Sequence, residues 1–219
     1  MSEFVVHTIP GSPFARSVMA TLEEKGAPWR IAPIAPGQTK QQPHLSRNPF
    51  GRMPVVDHGD FGLYETQAIV RYIDRVYPEP ALTPADSKCA ARMDQVMNIN
   101  DWYLFQGCAN VIGFQRVVGP KIFGHVPDED AIAAAMPQAQ NVFAELSRLL
   151  GDQPYFAGDD VSLAEMMIAP QADFLSMTPE WKTLTAGTPN LVRWLERVIQ
   201  RPCFEVTTWE KITAKAQAA

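Results

Sequence analysis

Apolar positions in the first third of the chain change period several times. Phe4 to Thr8 is a short apolar run that reads as a strand, closed by the turn Ile9-Pro10-Gly11. Ser12-Pro13 then opens a helix, because a serine oxygen caps free N–H groups and a proline at the first helical position has no donor to waste. Phe14, Val18 and Leu22 repeat at helical spacing until Gly26 stops the helix. Trp29 to Ile34 alternates as a second strand and completes a βαβ unit with a parallel pair. Pro36 to Pro49 is polar and bounded by prolines, so it reads mostly as loop with room for one helical turn. Met53 to Asp57 and Phe61 to Tyr64 flank His58-Gly59-Asp60 as an antiparallel hairpin. Glu65 to Val76 follows, with Ile69, Ile73 and Val76 on one helical face, and ends before Pro78.

Beyond that point the pattern is helical only. The stretch Pro78-Glu79-Pro80-Ala81-Leu82-Thr83-Pro84 is stiff, and it divides the chain into an α/β domain over 1–78, a linker over 79–88 and an all-α domain over 89–219. Ser87 to Val118 predicts one long helix or two, and Asp128 to Leu150, Ser162 to Ser176 and Asn190 to Arg201 predict three more. Ser162 and Glu165 form the spacing of a capping box, with Val161 and Met166 placed as a hydrophobic staple.

Composition narrows the functional classes. The 219 residues are 46% apolar and 20% charged, which excludes a disordered chain. Cys89, Cys108 and Cys203 are odd in number and far apart, so the sequence predicts neither a disulfide framework nor a metal site, and points to a reducing compartment. No basic leader precedes an apolar core, and no run approaches the roughly 20 apolar residues that cross a bilayer, so a soluble, cytoplasmic protein is expected. A net charge of -5 without a dense basic run argues against nucleic acid. Residues 1–78 hold 8 basic and 7 acidic side chains against 11 and 17 in the remainder, so a small anion would mildly favour the first domain.

Each candidate residue also has a plain reading. Ser12 serves as a helix cap, Glu65 as ordinary acidic capping, Lys40 as a solvated loop side chain, and Pro54 as a trans proline at a strand start. The aromatic residues Trp102, Tyr103, Phe105 and Phe114 read first as core or dimer seam. His7 lies five residues from Ser12, yet Ser12 is in no G-x-S-x-G elbow, so a nucleophilic serine is disfavoured.

The order βαβ, ββα, proline linker and helices combines with three motifs: Asn48-Pro49-Phe50-Gly51-Arg52-Met53-Pro54, then Gly59-Asp60, then Leu63 through Ile73. Together with Ser12 four residues before Arg16, this pattern resembles the cytosolic glutathione transferases, phi class, in a bacterial-type variant. The resemblance implies a thioredoxin-like N-terminal domain and a helical C-terminal domain. It implies glutathione as co-substrate, no metal, and conjugation of the glutathione thiolate to apolar electrophiles, with hydroperoxide reduction as a side activity. Ser12 would activate the thiol. Lys40, Gln41, Arg52, Met53, Pro54, Glu65 and Thr66 would hold glutathione, with Met53-Pro54 as a cis corner. Ile9, Phe14, Trp102, Phe105 and Phe114 would line the second-substrate site, and Phe50 would key a homodimer. Thr39 and Gln41 depart from the usual His and Lys, and Arg52 from a common Gln, so either glutathione is held more weakly or Arg52 supplies the charge. The rivals are a glutathione-dependent isomerase or lyase using the same thiolate, and a non-catalytic binding protein of the same fold.

Overall fold

A computed structural model describes residues 2–218. Its first unit runs to Leu82 and is joined by the segment from Gln200 onward, and its second unit spans Thr83–Ile199.

In the first unit, β1 (Phe4–Thr8), α1 (Pro13–Glu24), β2 (Trp29–Pro33), α2 (His44–Arg47), β3 (Val55–His58), β4 (Phe61–Tyr64) and α3 (Thr66–Val76) follow one another. The sheet order is β2-β1-β3-β4. β1 and β2 are parallel, with Val6 opposite Ile31, while β1–β3 and β3–β4 are antiparallel. Phe4, Val6 and Thr8 alternate inward from β1, and Val18 and Leu22 of α1 and Ile69 and Ile73 of α3 are fully buried. Each such side chain contributes about 1.5 to 3 kcal/mol of burial. β3 begins at Val55 rather than Met53, because Pro54 has no N–H for the ladder. The proline-bounded stretch holds a 3₁₀ turn at Gln38–Lys40 as well as α2.

The second unit contains α4 (Ser87–Ile99), α5 (Asn110–Gly113), α6 (Glu129–Leu150), α7 (Leu163–Ser176), α8 (Trp181–Thr185) and α9 (Pro189–Ile199). Between Ser87 and Phe123 the chain breaks once, at Gln106 (ψ 123°) and Gly107 (φ 79°). Gly107 takes a left-handed conformation that costs other residues more. The break is stitched by the Asn110 side chain, which accepts the Gly107 N–H at 2.8 Å, and by Gln138 on α6, whose amide donates to the Gln106 carbonyl at 2.7 Å. At the start of α7, Ser162 and Glu165 form the expected capping box.

The compact units divide the chain differently from the limits read in the sequence. The linker does not swing free from residue 79: Lys25 donates to the Pro80 carbonyl, and the Leu82 N–H donates to Asp74 at 3.0 Å, so the chain stays with the first unit up to Leu82. The helical domain expected to end at residue 219 ends at Ile199. Two further helices, α10 (Pro202–Glu205) and α11 (Trp209–Gln217), return to the first unit. They are held there by burial of Cys203, Phe204 and Ile212, by an Arg201–Glu24 ion pair, and by Arg16 donating to the Phe204 carbonyl at 3.2 Å.

Candidate active site

Three chain segments of the first unit bring most of the candidate residues to one end of its sheet. The β1–α1 turn delivers Ser12 as N-cap of α1, with Pro13 at the first helical position. Its Oγ accepts the Ala15 N–H at 3.3 Å, and Ser12 N–H donates to the Ile9 carbonyl at 3.3 Å. Both the plain reading and the chemical reading of Ser12 survive this geometry. The cap uses an oxygen lone pair, so the hydroxyl proton remains available to an acceptor at the helix N-terminus.

The second segment carries Met53-Pro54, whose peptide bond is cis. The Ile9 N–H donates to Met53 Sδ at 3.3 Å, which joins this corner to the Ser12 turn. The preceding carbonyl, that of Arg52, is fixed twice: the His44 ring donates to it at 2.8 Å and the Asn48 amide at 3.0 Å. The sequence reading did not assign these two residues. Asn48 stood inside the quoted motif, whereas His44 gave no local signal, because its partner lies eight residues on.

The third segment opens α3. Glu65 is the non-glycine residue with positive φ among those described, at 70°, and it makes no side-chain cap bond to the helix. Such a conformation costs about 1 to 3 kcal/mol and persists where surroundings overdetermine it, most often at functional sites. It leaves the Glu65 side chain exposed while Thr66, at the first helical position, is buried. The free N–H groups of a helix start, together with a hydroxyl, form an anion-accepting end.

Lys40 is exposed and donates to the Phe50 carbonyl at 2.7 Å. Gln41 and Arg52 are also exposed. Phe50 is 61% exposed and meets Tyr64 edge-on at 6.1 Å. Ile9 and Phe14 are half-buried in the first unit, whereas Trp102, Phe105 and Phe114 belong to the second. Trp102 is 63% exposed and Tyr103 58%, so these two are not core of the chain, while Phe105 and Phe114 are half-buried and Leu104 is buried. The break at Gln106–Gly107 separates Phe105 from Phe114, which packs near Phe123 and His125.

A serine nucleophile finds no support. The His7 ring donates to Asp57 Oδ2 at 2.7 Å, and burial holds the imidazole below its ordinary range, against the pull of Asp57. Burial also pushes the Cys108 and Cys203 thiols up to about 12, so neither is a thiolate at neutral pH. Among the described residues no group of three or more His, Cys, Asp or Glu is placed to hold a metal ion. No described helix is long and apolar enough to cross a membrane.

A family model described as "Glutathione S-transferase, N-terminal domain" matches residues 6–81, and one described as "Glutathione S-transferase, C-terminal domain" matches residues 129–197. The chain belongs to the glutathione S-transferase family. It is 31% identical to a probable glutathione S-transferase of Oryza sativa subsp. japonica over 84% of this chain and 86% of that one. It is 31% identical to a glutathione S-transferase of Hypomyces subiculosus over 91% and 93%. Among solved structures it is similar to glutathione S-transferase III in apo form, with TM-score 0.83 and 31% identity over 94% of this chain and 95% of that one. It is also similar to glutathione S-transferase-I bound with lactoylglutathione, with TM-score 0.81 and 25% identity over 97% and 99%. The relatives include phi-class transferases of plants, and the fold is the expected thioredoxin-like domain with a helical domain. The activity class is glutathione transfer, with glutathione as co-substrate.

Proposed function

We propose that the protein joins glutathione to apolar electrophiles and that Ser12 keeps the sulfur ionised. The observation that carries this reading is the Ser12 hydroxyl at the N-terminus of α1, accepting a cap bond from Ala15 and retaining its own proton for donation. A thiol has a reference pKa of about 8.5, and lowering it by two units takes roughly 2.7 kcal/mol. A helix N-terminus supplies about 0.3 to 2 kcal/mol, and a hydrogen bond to a charged group about 1.5 to 3 kcal/mol. Together they suffice. The thiolate attacks the electrophilic carbon; the S–C bond forms as the leaving group departs with its electron pair, or as a π bond receives it. Alignment of the two bound substrates supplies the remainder of the acceleration.

In the same reading Met53 presents its backbone to the cysteinyl portion, Thr66 and the start of α3 take a substrate carboxylate, and Glu65 faces the γ-glutamyl ammonium. Lys40, Gln41 and Arg52 take the glycine end, with Arg52 supplying charge where Gln41 does not. Ile9 and Phe14 of the first unit face the apolar electrophile, Phe50 enters a second copy, and the protein works in the cytoplasm, where its three free cysteines stay reduced.

The test is thiolate absorbance of the glutathione complex against pH. In Ser12→Ala the bound thiol should titrate about one to two units higher, matching the loss of a charge-assisted hydrogen bond, and conjugation near neutral pH should fall about tenfold or more. Superimposable titrations would refute the activating role, whatever happened to the rate.

A further inference from the structure

The turn that carries Ser12 is covered by a residue from the far end of the chain. Gly11 has φ 93°, and a methyl group on its Cα would lie 2.4 to 2.8 Å from three ring atoms of Trp209. Side-chain carbons do not approach so closely, so the indole occupies the space that any residue but glycine would need. At the start of the turn, the Ile9 N–H donates to Met53 Sδ. The turn therefore meets a thioether at Ile9 and an indole at Gly11.

The support beneath Trp209 is anchored independently of the turn. Thr208 Oγ1 caps α11 by accepting the Lys211 N–H at 3.4 Å, and Ile212 is buried. Lys215 Nζ lies 3.6 Å from the centroid of the Trp29 ring on β2. Upstream, Arg201 pairs with Glu24 of α1 and Phe204 is fully buried. A glycine at φ 93° has wide freedom when uncovered, and the 3.3 Å cap bond from Ala15 is too long to fix Ser12 by itself.

We propose that Trp209 is a positioning residue: its indole, pressed on Gly11, fixes the direction in which the Ser12 hydroxyl meets the glutathione sulfur. This rests on the thiol-activating role of Ser12. Hydrogen bonds weaken steeply with misalignment, so loosening the turn raises the thiol pKa without removing any group that touches the sulfur.

The experiment compares thiolate absorbance against pH for the glutathione complexes of the native protein, Trp209→Ala, Trp209→Phe and Ser12→Ala. Circular dichroism checks the fold of each and calorimetry its glutathione affinity. Trp209→Ala should raise the bound thiol's pKa by about half a unit to one unit, with turnover of a generic aromatic halide reduced about threefold to tenfold below that pKa and recovering above it. Trp209→Phe should restore most of the shift, because a flat ring still covers Gly11. If Trp209→Ala does not fold, Trp209→Leu takes its place, with a smaller rise expected. A native titration in Trp209→Ala or Trp209→Leu beside a shifted Ser12→Ala would overturn the positioning role and leave the Ser12 reading intact. An unshifted Ser12→Ala would overturn both.

Discussion

Lys25, which closes α1, and Asp74, near the end of α3, form an ion pair with side chains 0% and 8% exposed. Lys25 also donates to the Pro78 and Pro80 carbonyls, and Asp74 accepts the Leu82 N–H, so two buried charges hold the proline linker. Removing one member of such a pair leaves the other desolvated without compensation. Asp74→Ala should therefore cost about 3 to 5 kcal/mol in urea unfolding, whereas Lys25→Met with Asp74→Leu should cost far less than the two single changes together. Additive losses would show that the pair is not the linker's anchor.

Ser162 is fully buried, and its hydroxyl donates to Glu165 Oε2 at 2.8 Å while accepting the Ala164 N–H at 3.2 Å. Glu165 is buried too, receives the Phe156 and Ser162 N–H groups, and is pushed up by that burial against their pull. Ser162→Ala should cost about 1 to 3 kcal/mol, more than an exposed cap, because a buried carboxylate loses a donor. Glutathione affinity should barely change. Full thermal stability together with lost binding would contradict this purely structural role.

His7 predicts a pH dependence of stability. Burial lowers its folded pKa below 6.5, so as pH falls through 6.5 the unfolded chain takes up a proton that the folded chain does not. The stability supplied by neutral His7 is complete above that value and is lost as pH falls toward the lower folded one. The decline in unfolding free energy from pH 7.5 to 5.5 should be shallower in His7→Gln than in the native protein. Parallel declines would assign the effect to other groups.

Phe50 is held out toward solvent beside Tyr64, at the end of a loop fixed by the Lys40 bond to its carbonyl and by its own N–H donating to Asn48 at 3.0 Å. If it enters a second copy, its burial contributes roughly 1.5 to 3 kcal/mol, and Phe50→Ala should weaken self-association about tenfold or more in sedimentation. A native protein that sediments as a monomer at micromolar concentration would end the dimer proposal.

Much of the architecture follows from local rules that act within a few residues. Phe4 to Thr8, Ser12-Pro13, the hairpin around Gly59 and the box of Ser162 with Glu165 are legible because strand alternation, helix capping and turn chemistry depend on neighbours in sequence. The roles proposed for the site residues came instead from the family resemblance, since local rules by themselves made Ser12 a helix cap and Glu65 ordinary acidic capping. What tertiary structure alone decided involves partners remote in sequence: Trp209 on Gly11, Arg201 with Glu24, and Lys25 with Asp74 holding the linker. The left-handed backbone of Glu65 belongs with these, because an isolated glutamate favours negative φ and only its surroundings hold it at 70°. The sequence reading placed no helix beyond Arg201, and helical spacing alone could not say which surface the apolar side of residues 209–217 covers. That is settled by where burial, a cation over Trp29 and a side-chain-free glycine coincide in space.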